Sequence, residues 1–155
     1  MAQLNPYLNF ENVCREAMNF YKDCFGGELV LQTVGEMPEM ASKMPPQMKD
    51  KILHSTLKSD DIVIMGSDLN MQKPLEGNTV HLCVNCTTEN ELNSFFSKLS
   101  DGGKITEPLA DMPWGGRYGS LTDKYNKHWV FNFQKGQVSA LQHTFNSEAD
   151  FLMKP

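Results

Sequence analysis

Tyr7-Leu-Asn-Phe10, followed by Phe20-Tyr-Lys-Asp-Cys-Phe-Gly-Gly27, returns as His81-Leu-Cys-Val84, followed by Phe96-Ser-Lys-Leu-Ser-Asp-Gly-Gly103. The Phe-x-Lys-to-Gly-Gly parts lie 76 residues apart and the strand-like parts 74, so the second copy has a connection two residues longer. A repeat of this length is a copied supersecondary module, too long for an ordinary solenoid turn. Two such modules must share one sheet or one core. The groove between them is the natural place for a ligand.

Local patterns fill in each copy. Leu4, Pro6, Leu8 and Phe10 alternate with Asn5, Tyr7 and Asn9, the mark of a half-buried strand over 4–10. Asn12 reads as the N-cap of a helix over 13–25 with Val13, Ala17, Phe20, Tyr21 and Cys24 on one face. Gly26-Gly27 stops that helix. A strand over 28–34 follows, and a hairpin over 51–58 and 61–67. Between them Met37, Met40, Met44 and Met48 recur among prolines, reading as a surface loop or as an adaptable flap over a ligand. In the second copy, Thr88 and Glu91 form a capping box before a helix over 88–100. Strands are expected at 79–86 and at about 104–110, 116–122 and 128–134. The chain thus reads as one α+β domain over 1–155: module one at about 4–67, a linker at 68–78, module two at about 79–134 and a tail at 135–155.

Composition narrows the function. The net charge of −5 argues against a nucleic-acid groove or an anionic membrane surface. The longest clean apolar run, Ile62 to Met65, is far too short to span a bilayer. No targeting segment is evident at the start, so the expected location is cytoplasmic. Cys83-Val-Asn-Cys86 has metal-knuckle spacing, but on a strand its two thiols point to opposite faces and read as ordinary packed cysteines.

Alternation also sorts residues by face. If helices cover the greasy sides, the opposite sides curl around a mixed pocket lined by Asn5, Tyr7, His54, His81 and His128. Ile52, His54 and Thr56 are expected on one face. Three of the four histidines fall on such faces, which suits metal ligation or acid–base work. In Trp114-Gly-Gly-Arg117-Tyr-Gly119, Arg117 could grip an anionic ligand under a Trp114 roof. Equally, its glycines could serve only a tight turn and a bulge.

The segments Tyr7 to Glu28, Lys51-Ile-Leu-His54, Trp114 to Gly119 and Asp123 to Trp129 together resemble the glyoxalase/bleomycin-resistance/dioxygenase (vicinal oxygen chelate) superfamily. The resemblance is nearest to its PhnB-like branch. It implies two βαβββ modules forming a cup-shaped mixed sheet with helices on the outer face, and a homodimer. The four ligand positions of metal-using members look like Asn5, His54, His81 and Val130 here, of which only His54 and His81 are strong donors. Where the branch usually has aspartate-proline-phenylalanine-glycine, this chain has Asp123-Lys-Tyr-Asn126. Two functions follow from the resemblance. One is a small-molecule-binding protein that holds or sequesters a ligand in the cup through Tyr7, His54, His81, Trp114, Arg117 and His128, with a degenerate metal site. The other is a lyase, isomerase or group-transfer enzyme of the glyoxalase type, using a zinc, nickel, manganese or iron ion. A structural dimer with a vestigial cup is a third reading. No strand–glycine-rich loop–helix unit for a nucleotide-type cofactor is present.

Overall fold

The computed structural model describes residues 1–135; the expected tail, with His143, Phe145 and Phe151, lies almost wholly outside them. Module one runs β1 (Tyr7–Asn9), α1 (Cys14–Phe25), β2 (Glu28–Thr33), a short α2 (Pro38–Ala41), β3 (Ile52–Ser59) and β4 (Ile62–Ser67). Module two runs β5 (Leu82–Cys86), α3 (Glu89–Ser100), β6 (Lys104–Asp111), β7 (Gly116–Thr122) and β8 (His128–Gln134). Each module closes into a four-stranded mixed sheet, in the orders β1-β4-β3-β2 and β5-β8-β7-β6. The first strand of each lies parallel to its fourth, and the other pairs are antiparallel. The duplication seen in the sequence is therefore a duplication of topology.

The apolar stripes of the two helices create one shared core. Ala17, Met18, Tyr21 and Cys24 of α1, with Leu92, Phe96 and Leu99 of α3, pack with Leu57 and Ile64 of sheet one and Leu121, Trp129 and Phe131 of sheet two. Helix α1 lies against β2, β3 and β4, α3 against β5 and β8, and the two helices touch. Tyr21 and Phe25 of α1 also reach across to the Trp129 ring, with centroids 5.5 Å away in both cases. Each sheet thus has one helix-covered face and one open face, as alternation requires. The two helices touch and feed one apolar cluster, which leaves the other face of each sheet uncovered by them.

The helix starts differ instructively. Thr88 and Glu91 make the expected capping box, with Glu91 N donating to Thr88 Oγ1 at 3.1 Å and Thr88 N to Glu91 Oε2 at 3.3 Å. Asn12 does not cap α1; it stands in the left-handed region at φ 65° just before it. The cap comes from a distance: Asp68, beyond the end of β4, accepts from Cys14 N at 2.9 Å and from Ile52 N at 3.1 Å. A carboxylate at a helix N-terminus satisfies a free N–H and favours the helix dipole.

A bulge corrects one expected face. β2 pairs Gln32 with His54 but Thr33 with Ile52, which leaves Leu53 unmatched. Alternation breaks there. Ile52 turns into the core at 0% exposure, so it does not share a face with His54.

Candidate functional site

The open face of sheet one carries Tyr7, Met65, Thr56 and Val30, which stand in register across its four strands. Tyr7 and Val30 are 47% and 65% exposed. The Tyr7 and His54 rings lie 5.8 Å apart. This face is aromatic and aliphatic with one imidazole.

The open face of sheet two is polar. Parallel pairing of β5 with β8 sets Asn85 beside Asn132, and Asn132 Nδ2 donates to Asn85 Oδ1 at 3.3 Å. The next strand places Tyr118 beside Asn132, Ser120 beside Val130 and Thr122 beside His128. Thr122 Oγ1 lies 2.9 Å from His128 Nδ1. The rings of His81 and His128 are 5.5 Å apart. Ser120 and Thr106 hydroxyls share a 2.7 Å hydrogen bond. Burial, with the nearby Glu107 and Cys83, raises the Tyr118 phenol above its ordinary value, so it stays a neutral donor near neutrality. Ser120 and Thr122 were not among the candidates from sequence. Their only signal was alternation, which also marks every solvated strand face.

Arg117 is placed elsewhere than the sequence suggested. It pairs with Phe133 on the helix-side face of β7, and its guanidinium reaches Glu89 of α3 at 3.1 Å and Asp111 at 3.3 Å. The parity of β7 decides this: Tyr118 and Ser120 take the open face, so Arg117 must take the other. Its Nη1 donates to Glu89 and Asn93, while Nε, buried 3.3 Å from Asp111, makes no hydrogen bond. Trp114 is 64% exposed in the β6–β7 connection, where Gly115 N donates to Met112 O to close a turn. A hollow of about 290 Å³ opens where the linker crosses between modules, lined by Leu8, Leu75, Glu76, Val80, Lys127 and His128.

Residues 3–131 match the model of the Glyoxalase/Bleomycin resistance protein/Dioxygenase superfamily. The chain belongs to that superfamily. It is 28% identical over 142 residues to protein YjdN of Escherichia coli, covering 86% of this chain and 97% of that protein. Among solved structures it is similar to protein PA1353 of Pseudomonas aeruginosa, at 31% identity and TM-score 0.75, covering 86% of this chain and 98% of the other. It is also similar to a PhnB protein of Bacillus cereus described as a putative 3-demethylubiquinone-9 3-methyltransferase, at 26% identity and TM-score 0.66, covering 85% and 99%.

Against the superfamily's four metal positions the donor set falls short. Asn5 and His54 belong to module one, while His81 and Val130 belong to module two. Within one chain the His54 ring lies against Tyr7 and the His81 ring against His128. Val130 contributes no donor, and catalytic zinc sites use three protein ligands. Among the described residues no three His, Cys, Asp or Glu side chains cluster to hold an ion. The four positions do not fit a resident divalent ion. No helix among the described residues is long and apolar enough to cross a membrane.

The thiols behave as packing groups. Cys14, Cys24 and Cys86 are buried, and Cys83 is exposed on the other side of β5. Burial pushes Cys14 up to about 11 and Cys24 and Cys86 up to about 12, from an ordinary value of 9.0. The neutral thiol is the form the fold accepts, so its stabilisation is whole below pH 9 and is lost as pH climbs from there toward 11–12. Unfolding free energy is expected to be level near pH 7–8 and to fall above pH 9, by up to about 1.4 kcal/mol per pH unit for each thiol. Urea titrations from pH 7 to 10.5 measure this, and a Cys24→Ala variant should show a shallower fall.

Proposed function

We propose that the protein works as a homodimer that binds a small molecule between the open face of sheet one in one protomer and the open face of sheet two in its partner. The observation that carries this reading is that each sheet has one face its helix leaves uncovered. The helices use up the greasy sides, leaving Tyr7 and Val30 exposed on one sheet and a ladder of imidazole, amide and hydroxyl groups on the other. An aromatic and aliphatic wall facing a few placed polar groups is the usual make-up of a ligand pocket. Such a cup has its metal positions degenerate and its hydrogen-bonding groups intact, which favours holding a ligand over metal-assisted turnover.

Light scattering on the eluting protein is expected to give twice the chain mass. Val30→Glu, which puts a charge on the sheet-one face, is expected to shift it toward the monomer. A panel of small aromatic compounds should contain one that raises the melting temperature. At one hundred times its dissociation constant the stabilisation would be about 2.7 kcal/mol, and Tyr7→Ala should remove most of it. A protein that stays monomeric and unshifted by the panel would contradict the reading.

A further inference from the structure

The amide pair on the open face of sheet two is only half used. Asn132 Nδ2 donates to Asn85 Oδ1 at 3.3 Å. That bond leaves Asn85 Nδ2 as an outward donor and Asn132 Oδ1 as an outward acceptor. Turning both amides over exchanges these roles and keeps one of each. Tyr118, in register with Asn132, adds a phenol beside them. Two residues further along, Gly116 pairs with Gln134 and has the parity of Tyr118, so it belongs to the same face. A Cβ on Gly116 would lie 3.1 Å from Trp114 Nε1 and 3.4 Å from Gln134 Cγ. The indole therefore folds back over the glycine onto the open face, one strand repeat of about 7 Å beyond the Asn132 row. It stays 64% exposed there. Gly116 makes room for a ring, a use beyond the turn.

The cations of sheet two stand away from this patch. Arg117 takes the other face of β7 and donates to Glu89 and Asn93. Lys104 lies opposite Thr122, four residues along β7 from Tyr118, a separation of about 13 Å. Lys135 lies past the end of β8. The open face does carry a carboxylate, Glu107, opposite Ser120. It stands close enough to help raise the Tyr118 phenol.

We propose, resting on the cup described above, that its ligand is a neutral planar aromatic carboxamide or lactam, whose amide edge pairs with Asn85 and Asn132 while its ring stacks on Trp114. An amide edge offers one carbonyl and one N–H, the complement of the outward donor and acceptor. A carboxylate offers acceptors only. One of its oxygens would oppose the outward acceptor of the pair, and its charge would meet Glu107 with no cation to offset desolvation.

Calorimetric titration of the full-length protein at neutral pH with 2-naphthamide and with 2-naphthoate tests this. The two probes share a ring system and differ in the edge. The amide is expected to bind at least about tenfold more tightly, the worth of one mismatched polar contact. Trp114→Ala should weaken 2-naphthamide by about two- to tenfold, as loss of a stacked ring does. Asn132→Ala should weaken it by about tenfold and narrow its lead over the acid. In a nitrogen–proton spectrum the indole N–H of Trp114 should move as 2-naphthamide is added. That of Trp129, buried and donating to Asp123, should stay. The proposal is overturned if 2-naphthoate binds as tightly as the amide, if neither compound binds, or if the amide binds and leaves the Trp114 resonance unmoved. Asn85, Asn132 and Trp114 belong to one protomer, so the two readings separate. A monomeric protein that keeps the preference for the amide refutes the shared cup and leaves this contact standing. A dimer that takes the acid equally well does the reverse.

Discussion

Replacing Asp123 by alanine is expected to lower the unfolding free energy by about 2–6 kcal/mol, since two buried side-chain donors lose their acceptor. Asp123 is 2% exposed. Its Oδ2 accepts from Tyr21 Oη at 2.7 Å and from Trp129 Nε1 at 2.8 Å. Its Oδ1 accepts from the backbone N–H groups of Tyr125 at 2.8 Å and Lys127 at 3.0 Å. One carboxylate therefore closes the β7–β8 turn and ties α1 of module one to β8 of module two. Removing it strands a phenol and an indole N–H in the core, each costing about 1–3 kcal/mol as an unsatisfied buried group. Tyr21→Phe removes a single donor and should cost less. A urea-melt double-mutant cycle on these two positions should show strong coupling. If Asp123→Ala shifts the midpoint no more than an exposed substitution such as Asp60→Ala, the latch has no energetic weight.

Gly27→Ala and Gly103→Ala are expected to be the most damaging conservative changes in the chain. The first glycine of each repeated pair, Gly26 or Gly102, sits at φ 77° or 72° and turns the chain out of the helix. The second lies against the third strand of its own module. A Cβ on Gly27 would run into the Lys58 carbonyl oxygen, and one on Gly103 into that of Thr122, in both cases well inside contact distance. Backbone cannot move aside as a side chain can, so overpacking of about 1–3 kcal/mol or more is expected at each. Gly27 carries an added penalty because its φ is 88°, a left-handed setting that costs an alanine about 1–2 kcal/mol. Gly27→Ala should therefore be the worse of the two. Gly77→Ala, where an added methyl meets nothing within 4 Å, is the control and should be nearly silent. Equal melting temperatures for all three variants would mean that the repeated glycines mark ancestry without a steric need.

Much of the site was legible and some was not, for a reason that recurs. Alternation placed Tyr7, His54 and His128 on uncovered faces because side-chain direction in a strand is a property of its own backbone; the strand expected over 79–86 begins only at Leu82, so His81 stands just before it. Alternation from a fixed starting residue would also have put Arg117 and Tyr118 on opposite faces. The sequence offered no way to know which of the two looked toward the histidines until β7 was paired with β8. The bulge at Leu53 reversed Ile52 for a similar reason, since its cause is the count of residues in β2 across the ladder. Asn126, standing where the family resemblance leads one to expect glycine, does adopt the left-handed conformation, at φ 63°.

Taken by itself, the order of residues determined the two βαβββ modules, their helical stripes, the capping box at Thr88 and Glu91, and the glycine pairs that end both helices. Each of these rests on interactions among residues a few positions apart, which leave a periodic trace. Tertiary structure alone decided that both helices feed one core, that Asp68 caps a helix 54 residues away, and that the His81 ring lies beside that of His128. Those outcomes depend on which strand pairs with which and on how two stripes pack together. Pairing energy is collected between distant segments, and nothing in the spacing of either segment records its partner.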